Sequence, residues 1–418
     1  MTFVIRKMFH SVTSAPPERK RNFILLCISY FFVLFNYPLM RATTTAMYMQ
    51  AYGGSASPVI WLYSVAALAI IISIYNKLQN KVGVHALFHY TSILSIFIFL
   101  ISLFLFNQGI TFMAGVLYVW KEVYIVILVH LILGYCNSNL KYVEAKEFFG
   151  PLGAMGSIGG IVGGFLTSVM TKPYGVDAVI YIGCIGIAIN AVVFHFTLRT
   201  ETTSSDKSSV KKESPLQSIK GAYRYVFLIA LIVAMSQFCI NIVNLKFDLV
   251  FAQIVPDQNT KAAYLGTLFS LINVATLIIQ FLLIPPLFKY RTNRFTQYLI
   301  PTSYVGLSIL GLGLGSGVLT LAAGTFLFMK AFDYSLFTAS KELLYYPLST
   351  MQKFGAKYIT DMVVYRLAKG IIAVILIKYQ DLQSLNILMT LSLLIWFIAL
   401  VFLFKDPKSQ RTEYESIP

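Results

Sequence analysis

Apolar runs of about 18 or more residues recur along the whole of this 418-residue chain, and no other feature limits its fold as much. At 1.5 Å of rise per residue, each run is long enough to cross a hydrocarbon layer of about 30 Å. In lipid every backbone N–H and C=O needs a partner within the protein, and a helix supplies those partners within one segment. Only 12% of the residues are charged, against about 25% in ordinary soluble domains, so a soluble fold is excluded. The fold class that follows is an all-α polytopic membrane protein.

The runs predict twelve transmembrane helices. A tail over 1–22 is followed by spans near 23–40, 58–75, 84–106, 112–137, 150–171 and 176–197, which make a first half over 23–198. A Ser-, Thr- and Lys-rich linker over 199–220 has nothing to bury and reads as solvated. Six more spans, near 222–243, 262–285, 296–315, 317–336, 357–378 and 385–404, make a second half over 221–405, before a tail over 406–418. Most Lys and Arg fall in the tail, the linker and the alternate loops on one side. By the positive-inside rule that side, with both termini, is cytoplasmic. Two six-helix halves joined by a basic linker form the major-facilitator layout of parallel repeats.

Traces of the repeat survive. Lys146-Glu147 precedes Pro151-Leu152 in the first half, and Lys341-Glu342 precedes Pro347-Leu348 in the second. Asn36 stands five residues before Arg41, and Asn241 five before Lys246. Members of each pair lie about half the chain apart, as matched halves require. Gly150, Gly153, Gly156, Gly159, Gly160, Gly163 and Gly164 provide small residues at helical spacing, where two membrane helices can approach closely.

Several functions are excluded or disfavoured. The net charge of +16 is explained by the positive-inside bias, so no nucleic-acid partner is implied. Cys27, Cys136, Cys184 and Cys239 lie in separate apolar segments without CxxC spacing and read as small buried residues. The first apolar run reads as a true span and not as a cleaved signal. The sequence has no GxxxxGK[ST] phosphate loop, which argues against an ATP-driven pump. His85 and His89 are one turn apart but have no acidic or thiol partner, so no metal is expected. No catalytic triad or carboxylate pair stands out; the chain is not expected to be an enzyme, and no cofactor is implied.

Charge inside apolar segments costs about 2.5–3.5 kcal/mol per group at a helix centre, which makes each such residue informative. Arg41 and Lys246 occupy matching places in the two halves and are expected to face one central cavity, where two cations would draw an anion. Arg41 can also grip a phosphate with paired hydrogen bonds. The alternative is that both mark helix ends and anchor in headgroups. Lys121-Glu122 sits inside the fourth span, as either a neutralising pair or part of a polar cavity wall. The densest cluster runs from Asp333 to Gly370. Within it, Arg366 and Lys369 share a helix face. Lys146, Glu147, Lys341 and Glu342 are expected to form gating ion pairs between the halves.

The Asp333–Gly370 stretch also carries a resemblance. Asp333-Tyr-Ser-Leu-Phe337, Lys341-Glu342, Tyr345-Tyr-Pro-Leu348 and Lys369-Gly370 are similar, in order and spacing, to the second half of the nucleotide transporters (ATP/ADP translocases) of plastids and intracellular bacteria. Glu122-Val123-Tyr124 resembles the family's Glu-Leu-Trp. Asn137 and Asn139, with Glu144 to Phe148, resemble its next block. The resemblance implies an alternating-access nucleotide transporter, a monomer in a bacterial inner membrane. It implies a cargo site drawn from Arg41, Lys121, Glu122, Asn137, Asn241, Lys246, Asp248, Asp333, Arg366 and Lys369.

Two places depart from the family pattern. Met40-Arg41-Ala42-Thr43-Thr44-Thr45 keeps the Arg of Leu-Arg-x-x-Lys-Asp but has Thr44-Thr45 at the Lys-Asp. Asn241 to Asp248 places Asn244 at the family's Glu, Phe247 at its Trp and Asp248 at its final Lys. With those charges gone, the expectation is net uptake or loose exchange of a phosphorylated anion, with a proton as the coupled ion, in place of strict ATP/ADP swapping. The competing expectations are a non-nucleotide anion, such as phosphate or a phosphorylated metabolite, and a transport-inactive receptor or scaffold.

Overall fold

A computed structural model describes residues 16–140, 142–198, 215–314 and 317–409. The basic linker over 199–214, the ends of both tails and the side chains of Asn137, Lys146 and Glu147 lie outside the described residues. Among the described residues all regular structure is helical. Eight helices are long and apolar enough to cross a membrane. They include α1 (Pro17–Tyr52), α2 (Ser57–Val82, continuous with a 3₁₀ turn at Gly54–Ala56), α3 (Val84–Asn107) and α4 (Phe112–Asn139). α5 (Tyr142–His195) follows, then α6 (Tyr223–Ile254) and α7 (Gln258–Ile278, prolonged to Tyr290). Three shorter assemblies come next: α8 (Asn293–Ser308), α9 (Leu319–Phe332) and α10 (Thr350–Lys357), each prolonged through a π-turn, and α11 (Leu382–Lys405) closes the series.

α5 holds two of the predicted spans. It bends at Gly175, whose φ of 81° no side-chain-bearing residue adopts easily, two residues after Pro173. The bend is held by Asn259, whose Oδ1 accepts the Val176 N–H at 3.2 Å. The spans predicted over 296–315, 317–336 and 357–378 fall on helix broken by the π-turns Ile309–Leu314, Asp333–Phe337 and Tyr358–Val364. A fourth π-turn, Ile279–Leu283, precedes Pro285 and Pro286 in α7, where the rings remove two helix N–H donors. π-turns of this kind are frequent at functional sites.

The chain divides into two compact units. Among the described residues, one comprises those up to 52, 66–198 and 255–274; the other comprises 53–65, 215–254 and 275–409. Each unit draws on both sides of the basic linker: residues 53–65 belong to the second unit and 255–274 to the first.

In the first unit the glycines of α5 work on two faces. A Cβ on Gly159 or Gly163 would strike the carbonyl of Phe31 or Phe35, so these two positions let α1 lie against α5 at backbone contact. Gly164 faces the borrowed segment instead; a Cβ there would lie 2.8 Å from the Gly266 carbonyl oxygen. Ser168 Oγ and Thr267 Oγ1 are hydrogen-bonded at 2.7 Å, and the Ser270 hydroxyl donates to the Ile161 carbonyl at 2.9 Å. Gly153, by contrast, faces open space.

In the second unit the borrowed piece follows the same principle. A Cβ on Gly54 would collide with the Asp248 carbonyl of α6, and Gln380 Nε2 donates to the Ser55 carbonyl at 2.9 Å. The core of this unit is aromatic. Trp396 meets Tyr304 and Phe337 edge-on, and Phe247 stacks on Phe326 at 5.4 Å. Two of the phenols at this depth find carbonyl acceptors: Tyr304 donates to Met329 and Tyr225 to Leu344. Buried aromatic hydroxyls need such partners.

Candidate functional site

Arg41 lies well inside α1, which continues to Tyr52, and Lys246 lies well inside α6, which continues to Ile254. Neither cation ends its helix. Five residues on an α-helix turn through about 140° net, so Asn36 and Arg41 project from different faces, as do Asn241 and Lys246. Burial agrees with that geometry: both Asn residues are buried and both cations are half-exposed. The repeated Asn/cation spacing therefore marks one residue turned into the helical packing and one turned away from it. Asn241 is engaged on its own helix, its Nδ2 donating to the Gln237 carbonyl at 2.7 Å. Asp248, seven residues on, shares the face of Asn241 and is buried with it.

The Arg41 guanidinium carbon sits 4.1 Å from the ring centroid of Phe269 and 5.6 Å from that of Tyr37. All three residues belong to the first unit. Stacking on an aromatic face fixes the guanidinium plane and confines its N–H donors to the edges, the geometry that matches a phosphate or carboxylate bidentately. Phe269 is not marked by any pattern in the sequence. It lies more than 220 residues from Arg41, and no spacing rule links the two.

Lys121 and Glu122 form an ion pair, Nζ to Oε1 2.9 Å, with side-chain exposures of 1% and 16%. Lys121 Nζ also lies 3.7 Å from the Tyr118 ring centroid. This is the geometry of a neutralising pair. A buried lysine with both a carboxylate and an aromatic face has its charge balanced within α4.

In the second unit, Arg366 and Lys369 are half-exposed on one face of α10, as their spacing predicts. Asp333 is 5% exposed and opens the π-turn of α9. The Ser236 hydroxyl of α6 donates to its Oδ1 at 3.5 Å, a long hydrogen bond.

Lys341 and Glu342 are paired within their own unit. Lys341 Nζ is 2.6 Å from Asp361 Oδ1, and Glu342 pairs with Lys357. Tyr345 and Thr360 share a hydrogen bond between the same two segments. These contacts close the hairpin from α9 to α10. Asp361 and Lys357 lie in the same charged cluster of the sequence, but the hairpin that returns them to Lys341 and Glu342 is not visible in spacing alone.

The family model described as TLC ATP/ADP transporter matches residues 110–406. ADP,ATP carrier protein 1 of Chlamydia muridarum is 23% identical over 82% of this chain and 79% of its own length. ADP,ATP carrier protein 3 of Rickettsia prowazekii is 21% identical over 85% of this chain and 87% of its own. Among solved structures, the nucleoside transporter NupG superposes with a TM-score of 0.65 at 14% identity, covering 92% of this chain and 99% of that one. The D-xylose-proton symporter does so with a TM-score of 0.68 at 10% identity, covering 94% and 99%. At such identities the structural likenesses show the fold, which is major-facilitator-like.

Proposed function

Because this chain belongs to the TLC ATP/ADP transporter family, a family of multi-pass membrane transporters, we propose that it carries a nucleotide or closely related phosphorylated anion across a bacterial inner membrane by alternating access. The reading includes twelve spans in two six-helix halves, both termini in the cytoplasm, and a monomer as the working unit. The observation that carries it is Arg41: a half-buried guanidinium stacked on Phe269, at the position where the family's first-helix motif keeps its Arg. Lys246, the counterpart in the second repeat, is the other cation proposed to meet the phosphates, with Arg366 and Lys369 as a further cationic face.

Transport is proposed to be net uptake coupled to a proton. Strict exchange requires that an empty carrier cannot reorient, and an unpaired charge that must be buried when empty is one physical way to impose this. Thr44, Thr45 and Asn244 are uncharged where the family pattern has charged residues. The Thr44 hydroxyl is already engaged with the Met40 carbonyl at 2.6 Å, so its burial leaves no charge to balance. In proteoliposomes without internal nucleotide we expect labelled nucleotide to accumulate, faster with an inward proton gradient. Uptake that appears only after preloading with ADP would show an obligatory exchanger instead.

A further inference from the structure

The proton-coupled reading above needs a group that holds the proton. Three of the carboxylates inside the helical segments, Glu122, Asp248 and Asp333, are largely enclosed, each in a distinct setting. Glu122 is neutralised by Lys121 at 2.9 Å. Asp248 is buried on α6, with its backbone carbonyl pressed against Gly54. Asp333 differs from both. Among the described residues it has no cation within ion-pair distance, and its carboxyl has a single hydrogen-bonding neighbour, the Ser236 hydroxyl at 3.5 Å.

The positive groups nearest along its own helix are engaged elsewhere. Lys330 places its Nζ over the Tyr334 ring at 5.3 Å, and Lys341 is bound to Asp361 at 2.6 Å. The other titratable groups facing this region are Tyr304 from α8, whose hydroxyl is given to the Met329 carbonyl, and Cys239 of α6 beyond it. The π-turn Ile279–Leu283 of α7, which packs near this turn, adds no ionisable residue. An ionised carboxylate in such a place would be desolvated with only the more distant charges of Lys330 and Lys341 and the long Ser236 hydrogen bond to offset it, whereas a protonated one is tolerated.

We propose that Asp333 is the proton-binding site of this transporter. It holds a proton on its carboxyl when enclosed as here, and releases it as a carboxylate when its helix moves and water reaches it. The assignment rests on the proton-coupled uptake proposed above, and it moves Asp333 from the expected cargo site into the interior of the second unit. The local backbone suits a movable proton site. Asp333 begins a π-turn, and its own carbonyl accepts the Thr338 hydroxyl five residues on at 2.7 Å. A π-turn is one residue wider than the α-helical turns around it. A shift of that turn into α-register would move the carboxyl relative to Ser236 without breaking the helix.

Two measurements on the full-length protein test this. The first is infrared spectroscopy of the purified transporter at neutral pH. We expect a carboxylic-acid carbonyl band that shifts in heavy water and is missing in Asp333→Asn. Absence of any Asp333-dependent band overturns the proposal whatever the transport data show. The second uses proteoliposomes with the membrane potential clamped and an inward gradient of one pH unit, which can drive about tenfold accumulation per coupled proton.

The readout in that second assay is gradient-driven accumulation relative to counterflow, since counterflow needs no net proton movement. We expect this ratio to fall about tenfold in Asp333→Asn and to be largely restored in Asp333→Glu. An unchanged ratio in Asp333→Asn overturns the assignment. If counterflow is also lost in Asp333→Asn, the infrared band decides alone. Wild-type protein that exchanges nucleotide but ignores the gradient sinks the proton coupling, and this assignment with it, while leaving nucleotide transport intact. Wild-type protein that moves no nucleotide at all sinks the cargo reading instead.

Discussion

At the scale of single residues, Arg41 is held by stacking as well as by charge, so the two contributions can be separated. Arg41→Ala should weaken nucleotide binding at least tenfold, about 1.4 kcal/mol, in titration calorimetry of purified protein. Arg41→Lys keeps the charge but loses the planar contact with Phe269 and the paired donors, so we expect it to recover only part of that loss. Wild-type affinity in both variants would return Arg41 to a headgroup anchor. Lys121 and Glu122 make a different expectation. Breaking a buried pair from one side strands a charge, so Lys121→Met should lower thermal stability by about 3–5 kcal/mol. Adding Glu122→Gln should restore much of it, and a double variant no more stable than the single would contradict the pairing. The sequence displayed these residues because charge in an apolar run is conspicuous. It did not display their partners: Phe269 and Asp361 arrive from other helices, and Asp333 is conspicuous in sequence yet turned inward. Face and partner depend on helix packing, which motif spacing does not encode.

Elements join where side chains are missing. Gly164 lets α5 and α7 touch at their backbones, and a Cβ there meets the Gly266 carbonyl oxygen at 2.8 Å. Gly164→Ala should therefore cost about 1–3 kcal/mol in detergent melting, as overpacked sites do. Gly153→Ala, on the same helix but facing open space, should be neutral or slightly stabilising. Equal effects at the two positions would mean that packing is not the cause. The glycine run was legible in the sequence as a close-contact surface. Its division between α1 on one side and α7 on the other was not, because both faces carry the same residue. At the start of α11, Asp381 accepts the Ser384 N–H at 2.9 Å, and this hydrogen bonding holds its carboxyl below the usual range. Its contribution to the helix end is present above the ordinary aspartate range and is lost as pH falls through the lowered value. Hydrogen exchange at 382–385 should rise selectively on acidification, and Asp381→Asn should remove that dependence.

On the scale of the whole molecule, α2 and α7 each belong to two units, with residues 53–65 and 255–274 packed in the unit built mainly from the other half of the sequence. The apolar pattern of the sequence held no sign of this exchange, since an apolar segment satisfies either unit equally. If transport requires α7 to change its packing, a cysteine pair at Ser168 and Thr267, whose hydroxyls are 2.7 Å apart, should arrest uptake when oxidised and release it on reduction. Full activity in the cross-linked protein would show that this contact persists through the cycle. The exchange has another consequence, in the time it takes to make the protein. Ser57, Ile60 and Trp61 are buried in the unit that contains α6, so they cannot reach their final surroundings until Tyr223–Ile254 has been synthesised. At about 5–20 residues per second that is a wait of roughly 10–40 s, during which the nascent first half holds an unfinished helix in the bilayer. A ribosome-stalled chain ending before α6 should therefore leave Trp61 open to lipid quenchers that cannot reach it in the finished protein.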